Sequence, residues 1–91
     1  MSYEEWLAIV NSGPLGEADD RMIELLKTRY AVVLEIKEEY CSGRALHGLV
    51  RDVYNWMRRN IKDEWCVEGY QRELIAFKNP NDAFAFKLRW G

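Results

Sequence analysis

The spacing of apolar residues along the chain predicts short amphipathic elements separated by turn-forming residues. In residues 3–10, Trp6, Leu7 and Val10 fall on one side of a short helix. A cluster of turn formers at 11–16 ends that helix. Acidic residues then crowd the first turn of a second helix, where they suit the positive end of the helix dipole. These acidic residues are Glu17, Asp19 and Asp20, and the apolar face of the helix consists of Met22, Ile23, Leu25 and Leu26.

Residues 30–40 allow two interpretations that lead to different folds. With a period of two, one face carries Tyr30, Val32, Leu34 and Ile36, which indicates a strand rich in β-branched residues. With a period of 3.6, apolar residues from 22 to 40 line one side of a single long helix, and the glutamates of this segment favour that helix. We favour the strand and keep the continuous helix as the alternative.

Residues 43–61 show the clearest helical periodicity and predict a long amphipathic helix that Ser42 caps. Its apolar positions are Leu46, Leu49, Val50, Val53, Trp56, Met57 and Ile61. Two strands are predicted at 65–70 and 74–78, joined by a short turn at 71–73. The turn chemistry of 79–82 introduces a terminal helix. We expect the aromatic residues of this last segment to be core, and they are Phe84, Phe86 and Trp90.

The element order after residue 30 is β-α-β-β-α, which is the order of a ferredoxin-like α+β domain without its last strand. We therefore predict one domain over residues 1–91, with N-terminal helices in 1–28 and a βαββα core in 30–91. Helices would cover one face of a small antiparallel sheet, and the other face would need the N-terminal helices, a partner subunit or a target. The alternative fold is mostly helical with a C-terminal β-hairpin.

Composition narrows the class of protein. The chain is 48% hydrophobic and 31% charged, as in globular proteins. No apolar run approaches the length of a membrane helix, and the first residues lack the pattern of a secretion signal. We therefore expect a cytoplasmic protein. The net charge of −2 divides unevenly, because residues 1–40 hold nine acids and four bases and residues 41–91 hold six acids and nine bases. Neither half resembles a dedicated nucleic-acid-binding domain, whose pI usually exceeds about 9.

The candidate reactive residues are few. Cys41, His47 and Cys66 would supply at most three metal ligands, without the closely spaced cysteine pairs of structural zinc sites. A Cys41–His47 nucleophile pair would need an orienting third group and a cleft, which the sequence does not indicate. We expect both cysteines to be reduced. We predict a protein that is not an enzyme, with no metal and no cofactor.

One face of the predicted helix 43–61 carries a basic stripe. At 100° per residue, its members fall within about an 80° arc opposite the apolar face. They are Arg44, His47, Arg51, Asn55, Arg58 and Lys62. The stripe suits a solvated helix face, and it also suits binding to phosphates or to an acidic protein surface. The twelve aromatic residues exceed what so short a chain can readily bury, so some rings are candidate anchors for a partner. The anchors we select are Trp6, Tyr54 and Trp65.

The C-terminal segment 75–91, IAFKNPNDAFAFKLRWG, resembles the ending of a set of small bacteriophage proteins. Their pattern is an aromatic-containing strand, a polar turn, then Asp-Ala and Phe-Lys-Leu-x-Trp at the chain end. Residues 56–61 also resemble the helix that precedes that hairpin. The resemblance covers about the last 40 residues. It implies a phage origin, a location in the host cytoplasm and a small α+β fold, and it implies no activity and no site residues.

Three functional hypotheses follow from these observations. The first is a protein-binding module, a phage accessory protein acting on a host protein. The second is nucleic-acid or nucleotide binding through the basic stripe. The third is a homo-oligomer that buries an open sheet face between subunits.

Overall fold

The computed structural model describes residues 1–42 and 48–91. Within them lie four helices and three strands, with short 3₁₀ turns at Leu15–Glu17 and Glu38–Tyr40. The helices are α1 (Tyr3–Val10), α2 (Ala18–Arg29), α3 (Arg51–Asn60) and α4 (Pro80–Trp90). The strands are β1 (Val32–Glu35), β2 (Trp65–Glu68) and β3 (Leu74–Phe77).

Local sequence explains where the first and last helices begin. At α1, the Ser2 hydroxyl accepts a hydrogen bond from the Glu5 backbone N–H, and the Glu5 carboxylate accepts one from the Ser2 N–H. This reciprocal pair satisfies two amides that the helix itself leaves without partners. At α4, the Asn79 side chain caps the helix and Pro80 occupies its first turn, where a missing N–H costs nothing.

The three strands form one antiparallel sheet in the order β1-β3-β2. Val32 pairs with Phe77 on one side of β3, and Trp65 pairs with Phe77 on the other. The helix α3 connects the two outer strands, so that β3 lies between strands joined by a helical crossover. This is the split β-α-β arrangement of ferredoxin-like domains. The predicted α+β fold is confirmed, and the mostly helical alternative is excluded because β1 occupies part of 30–40.

Both faces of the sheet are covered by helices of the chain itself. On the first face, α3 and α4 pack against β1 and β3, and the buried residues are Ile36, Leu49, Val53, Met57, Ile61, Ile75, Phe77, Ala83 and Phe86. On the second face, α1 and α2 pack against β3, and the buried residues are Val10, Ala18, Met22, Leu26, Leu74 and Ala76. The open sheet face on which the homo-oligomer hypothesis depends is therefore occupied by α1 and α2.

The predicted helix 43–61 is wrong at residues 49–50. The helix α3 begins at Arg51, and Leu49 forms an antiparallel bridge with Cys41. Gly48 has φ 85°, a left-handed conformation that a regular helix excludes. Residues 43–47 lie outside the described residues. Tyr30 also departs from its predicted face, because it ends α2 in an extended conformation and packs on the second core rather than with Val32.

A buried carboxylate joins α2 to the β2–β3 turn. Asp19 is 3% exposed, and its oxygens accept backbone N–H bonds from Tyr70 (2.7 Å), Gln71 (3.1 Å) and Arg72 (3.2 Å). The chain is tight at Gly69, where an added Cβ would lie 1.8 Å from the Arg72 carbonyl oxygen. Because the turn satisfies its amides through Asp19, the N-terminal helices are fixed to the sheet at a defined position.

Candidate functional site

The most exposed of the large apolar side chains in the described C-terminal half lie on α4. Phe84 is 63% exposed and Leu88 is 74% exposed. Next to them a groove of about 210 Å³ runs between α4 and the β1 edge. We call these features together the α4–β1 surface. Its members are Leu34, Glu35, Lys37, Tyr40, Phe84, Phe86, Lys87, Leu88, Trp90 and Gly91.

Helical geometry explains why Phe84 and Leu88 face solvent. The buried face of α4 is marked by Ala83 and Phe86. At 100° per residue, Phe84 and Leu88 lie about 130° and 170° from the midpoint of that face. Lys87 lines the groove and lies between the buried face of α4 and Phe84, about 60° from Phe84 around the helix. The exposed pair therefore adjoins the groove. Our prediction that Phe84 belongs to the core is therefore wrong, whereas Phe86 is buried as predicted.

The floor of the groove consists of aromatic rings that pack against one another. The rings of Tyr40 and Trp90 meet edge to face with centroids 5.3 Å apart. Phe86 packs against Phe77 of the sheet at 5.5 Å, and Trp56 of α3 contacts both Phe86 and Trp90. Side chains held by several ring contacts lose little further conformational entropy when a ligand binds, so such a floor suits an apolar ligand.

The charge at the groove is positive. Lys37 and Lys87 are exposed and line it, and neither forms an ion pair with any residue that the structure describes. The carboxylate of Glu35 is engaged elsewhere, since Arg72 lies 3.6 Å away. That contact is on the second face of the sheet, because alternate residues of a strand point to opposite faces and Val33 packs on the second core.

The predicted basic stripe is not one continuous helical face. Arg51 and Arg58 are exposed on α3 as predicted. Lys62 lies beyond the helix, because Ile61 is already extended with φ −97° and ψ 122°. Arg44 and His47 lie outside the described residues, and residues 49–50, which are not helical, directly precede α3.

The three predicted aromatic anchors are half-buried and divide between the two sheet faces. On the second face, the Trp6 indole donates a hydrogen bond to the Gly69 carbonyl (2.9 Å) and its ring lies 6.0 Å from Tyr70. On the first face, Tyr54 and Trp65 meet edge to face at 6.3 Å. The Arg58 guanidinium lies 6.0 Å from the Tyr54 ring. The structure therefore brings Tyr54, Trp65 and Arg58 together and places Trp6 apart from them.

A second groove, of about 320 Å³, separates α3 from α4. Arg59 and Arg89 both line it, beside Asp52, Asn55, Trp56 and Trp90. The Arg89 guanidinium lies over the Trp90 ring at 3.9 Å, a cation–π contact that occupies one face of the indole. This groove combines two guanidinium groups with aromatic walls, although Asp52 offsets part of its positive charge.

The two thiols are free and lie on different faces of the sheet. Burial raises the pKa of Cys41, and the nearby carboxylates of Glu73 and Glu38 raise it further. Burial likewise raises the pKa of Cys66. Cys41 does not directly precede α3, which begins ten residues later. His47, its predicted partner, lies outside the described residues.

Among residues 1–42 and 48–91, no cluster of three or more His, Cys, Asp or Glu side chains has the arrangement of a metal site. In the same ranges no helix has the length and apolar character that crossing a bilayer requires. Comparison with known proteins gives no match to a protein-family model, to a curated protein or to a solved structure. The resemblance of 75–91 to bacteriophage proteins therefore stays a prediction.

Sequence reasoning missed Phe84 and Leu88 as surface residues, although the signal was present. Placing residues 80–90 on a helical wheel separates them from Ala83 and Phe86. The groove beside β1 had no such signal, because it depends on how α4 crosses the sheet.

Proposed function

We propose that this protein is a protein-binding module and that the α4–β1 surface is its binding site. The observation that carries the proposal is the exposed pair Phe84 and Leu88, one helical turn apart and adjoining an aromatic groove. Single exposed apolar residues are ordinary, whereas adjacent ones beside a concave apolar floor are typical of interaction sites. The resemblance of 75–91 to phage proteins supports a bacterial host protein as the partner.

Site-specific photo-crosslinking in bacterial cells tests this proposal. The photoreactive residue p-benzoyl-L-phenylalanine replaces Phe84 in one variant and Tyr3 in a matched control. Tyr3 suits this role because it is 72% exposed, similar to Phe84, and lies on α1 at the other face of the sheet. We expect irradiation to produce a discrete protein adduct from position 84 and none from position 3. Equal adducts at both positions, or none at position 84, would refute the proposal.

A second candidate function is binding of nucleic acid through α3 and α4. The observation that favours it is the convergence of Arg59 and Arg89 on one groove with Trp56, since aromatic and guanidinium groups together suit bases and phosphates. Anisotropy of a labelled single-stranded oligonucleotide at two salt concentrations tests it. This function predicts affinity that falls steeply with salt and falls again in Arg59→Glu. Lys27→Glu, which changes an exposed lysine of α2 on the opposite sheet face, would leave that affinity unchanged.

A further inference from the structure

The edge of β1 away from β3 pairs with no strand among residues 1–42 and 48–91, and it carries backbone hydrogen-bonding groups that point away from the sheet. The Ile36 N–H donates to the Glu73 carbonyl of the neighbouring segment (2.9 Å). In an antiparallel pair, residues alternate between bonding the neighbour and facing the other way. Ile36, Leu34 and Val32 therefore bond towards β3. The N–H and C=O groups of Val33 and Glu35 face outward, which gives the edge two donors and two acceptors.

The groove of the α4–β1 surface lies directly beside this edge. Leu34 belongs to both features, because its side chain points to the first face and lines the groove with Phe86 and Trp90. A strand added to β1 would place every second side chain over that aromatic floor. One extended segment could thus pair its backbone with the β1 edge and place its alternate side chains in the groove.

We infer that β1 binds an extended, acidic peptide segment of another protein, which adds to the sheet as a fourth strand. This inference rests on the proposed function and specifies its partner. The bound segment spans about four residues, the length of β1, and alternates apolar side chains facing the groove with solvent-facing ones. Acidic side chains flank it, where they meet Lys37 and Lys87.

Charge distinguishes this occupant from a second copy of the chain. If two copies paired antiparallel about Leu34, Lys37 of each copy would lie opposite Ala31 of the other, so this pairing would place no carboxylate directly opposite Lys37. Among the residues that line the groove, Glu35 is the one with an acidic side chain, and its carboxylate already contacts Arg72 at 3.6 Å. An acidic peptide instead supplies the charges that the surface lacks.

The opposite edge of the sheet, on β2, also has outward backbone groups but carries different charged side chains, so it serves as a control. By the same alternation, the Lys78 N–H bond to the Glu64 carbonyl (3.0 Å) leaves Trp65 and Val67 facing outward. The side chain of Glu68 lies along that edge and binds the N-terminal amine at 3.4 Å. Among the residues that the structure describes, no lysine or arginine lines the groove at this edge, so an acidic segment would lack there the cationic partners that Lys37 and Lys87 provide at β1.

Selection from a library of random 12-residue peptides displayed on phage, with the full chain immobilised, tests the inference. We expect enriched peptides to alternate apolar residues and to carry Asp or Glu. The dissociation constant of an enriched synthetic peptide is then measured by fluorescence anisotropy for the wild type and for two pairs of matched variants. Failure to enrich any peptide above background would refute the inference.

The first pair removes one outward backbone donor from each edge. Val33→Pro deletes the outward N–H of β1 without removing a bond to β3, and proline is tolerated at strand edges for this reason. Val67→Pro is the equivalent change on β2. We expect the dissociation constant to rise at least tenfold in Val33→Pro and to change less than twofold in Val67→Pro. Circular dichroism checks that both variants fold.

The second pair changes only exposed charges, so folding is not at risk. We expect the double variant Lys37→Glu with Lys87→Glu to weaken the same peptide at least tenfold. Lys27→Glu, an exposed lysine of α2, should leave it within twofold. If Leu88→Lys abolishes binding while both Val33→Pro and the double variant leave it unchanged, strand addition is refuted and the proposed protein-binding function stands.

Discussion

Removing the Asp19 carboxylate should destabilise the fold far more than removing its neighbour Asp20. Asp19 is 3% exposed and accepts three backbone hydrogen bonds from the β2–β3 turn. Asp20 makes one ion pair, to Arg72 at 2.9 Å, with its own side chain 70% exposed. The two residues are adjacent in the first turn of α2, so they share the helix-dipole contribution and differ mainly in burial and partners.

The magnitude follows from these partners. A hydrogen bond to a charged group contributes about 1.5–3 kcal/mol. The free-energy contributions of the three bonds do not simply add. Tyr70 and Gln71 are exposed, so water can rehydrate their amides once the carboxylate is gone. We therefore expect Asp19→Ala to lower the free energy of unfolding by about 2–4 kcal/mol. Asp20→Ala should cost less than about 1 kcal/mol, as for other exposed ion pairs.

Urea denaturation followed by tryptophan fluorescence measures both variants. Trp6 is a suitable reporter because its indole binds the Gly69 carbonyl in the same turn. Asp19→Asn is an informative intermediate, since its amide keeps one acceptor oxygen but loses the charge, and it should fall between wild type and Asp19→Ala. If Asp19→Ala and Asp20→Ala unfold at the same urea concentration, the turn does not depend on the buried carboxylate and our account of how α2 is fixed to the sheet is wrong.

Two further predictions concern the same half of the molecule. Gly69→Ala should destabilise the fold by about 1–3 kcal/mol, because its Cβ would meet the Arg72 carbonyl at 1.8 Å. Gly16→Ala, with nothing within 4 Å, is the control in thermal unfolding, and equal melting temperatures would contradict the expected clash. The hydrogen bond from Arg29, with a second from the Ser2 amide, lowers the pKa of Glu5 from 4.5 to about 2, so its stabilising effect should be complete above pH 4.5 and lost as the pH falls towards 2. Carboxyl-carbon NMR titration should show this pKa rising in Arg29→Gln, and an unchanged value would show that the ion pair does not form in solution.

Much of the fold was predictable because the buried residues of most elements recur with the period of a helix or of a strand. The helix α1 and the strands β2 and β3 lie where alternation and turn residues predicted them. The strand β1 was correctly favoured, since Val32, Leu34 and Ile36 do share one face. The length of α3 was not predictable, because Leu49 and Val50 continue the helical spacing while their backbone pairs with Tyr40 and Cys41. A tertiary contact decided the conformation there, against the local pattern.

The candidate site was harder to predict than the fold. The sequence analysis selected tryptophan and tyrosine as anchors by residue type, and Trp6 instead fixes α1 to the Gly69 carbonyl. The α4–β1 surface combines residues from both ends of the βαββα core, Leu34 and Lys37 with Phe84 and Leu88. No local pattern brings such distant positions together, because their proximity is set by the sheet order and by the path of α4 across it.

Amide hydrogen exchange, resolved by NMR with and without an enriched acidic peptide, tests strand addition at β1 most directly. In the free protein, the outward amides of Val33 and Glu35 should exchange much faster than those of Leu34 and Ile36, which donate towards β3. With peptide bound, Val33 and Glu35 should become protected while Trp65 and Val67 on the opposite edge stay unchanged. Protection gained at Trp65 and Val67 instead, or no change at Val33 and Glu35, would contradict the account.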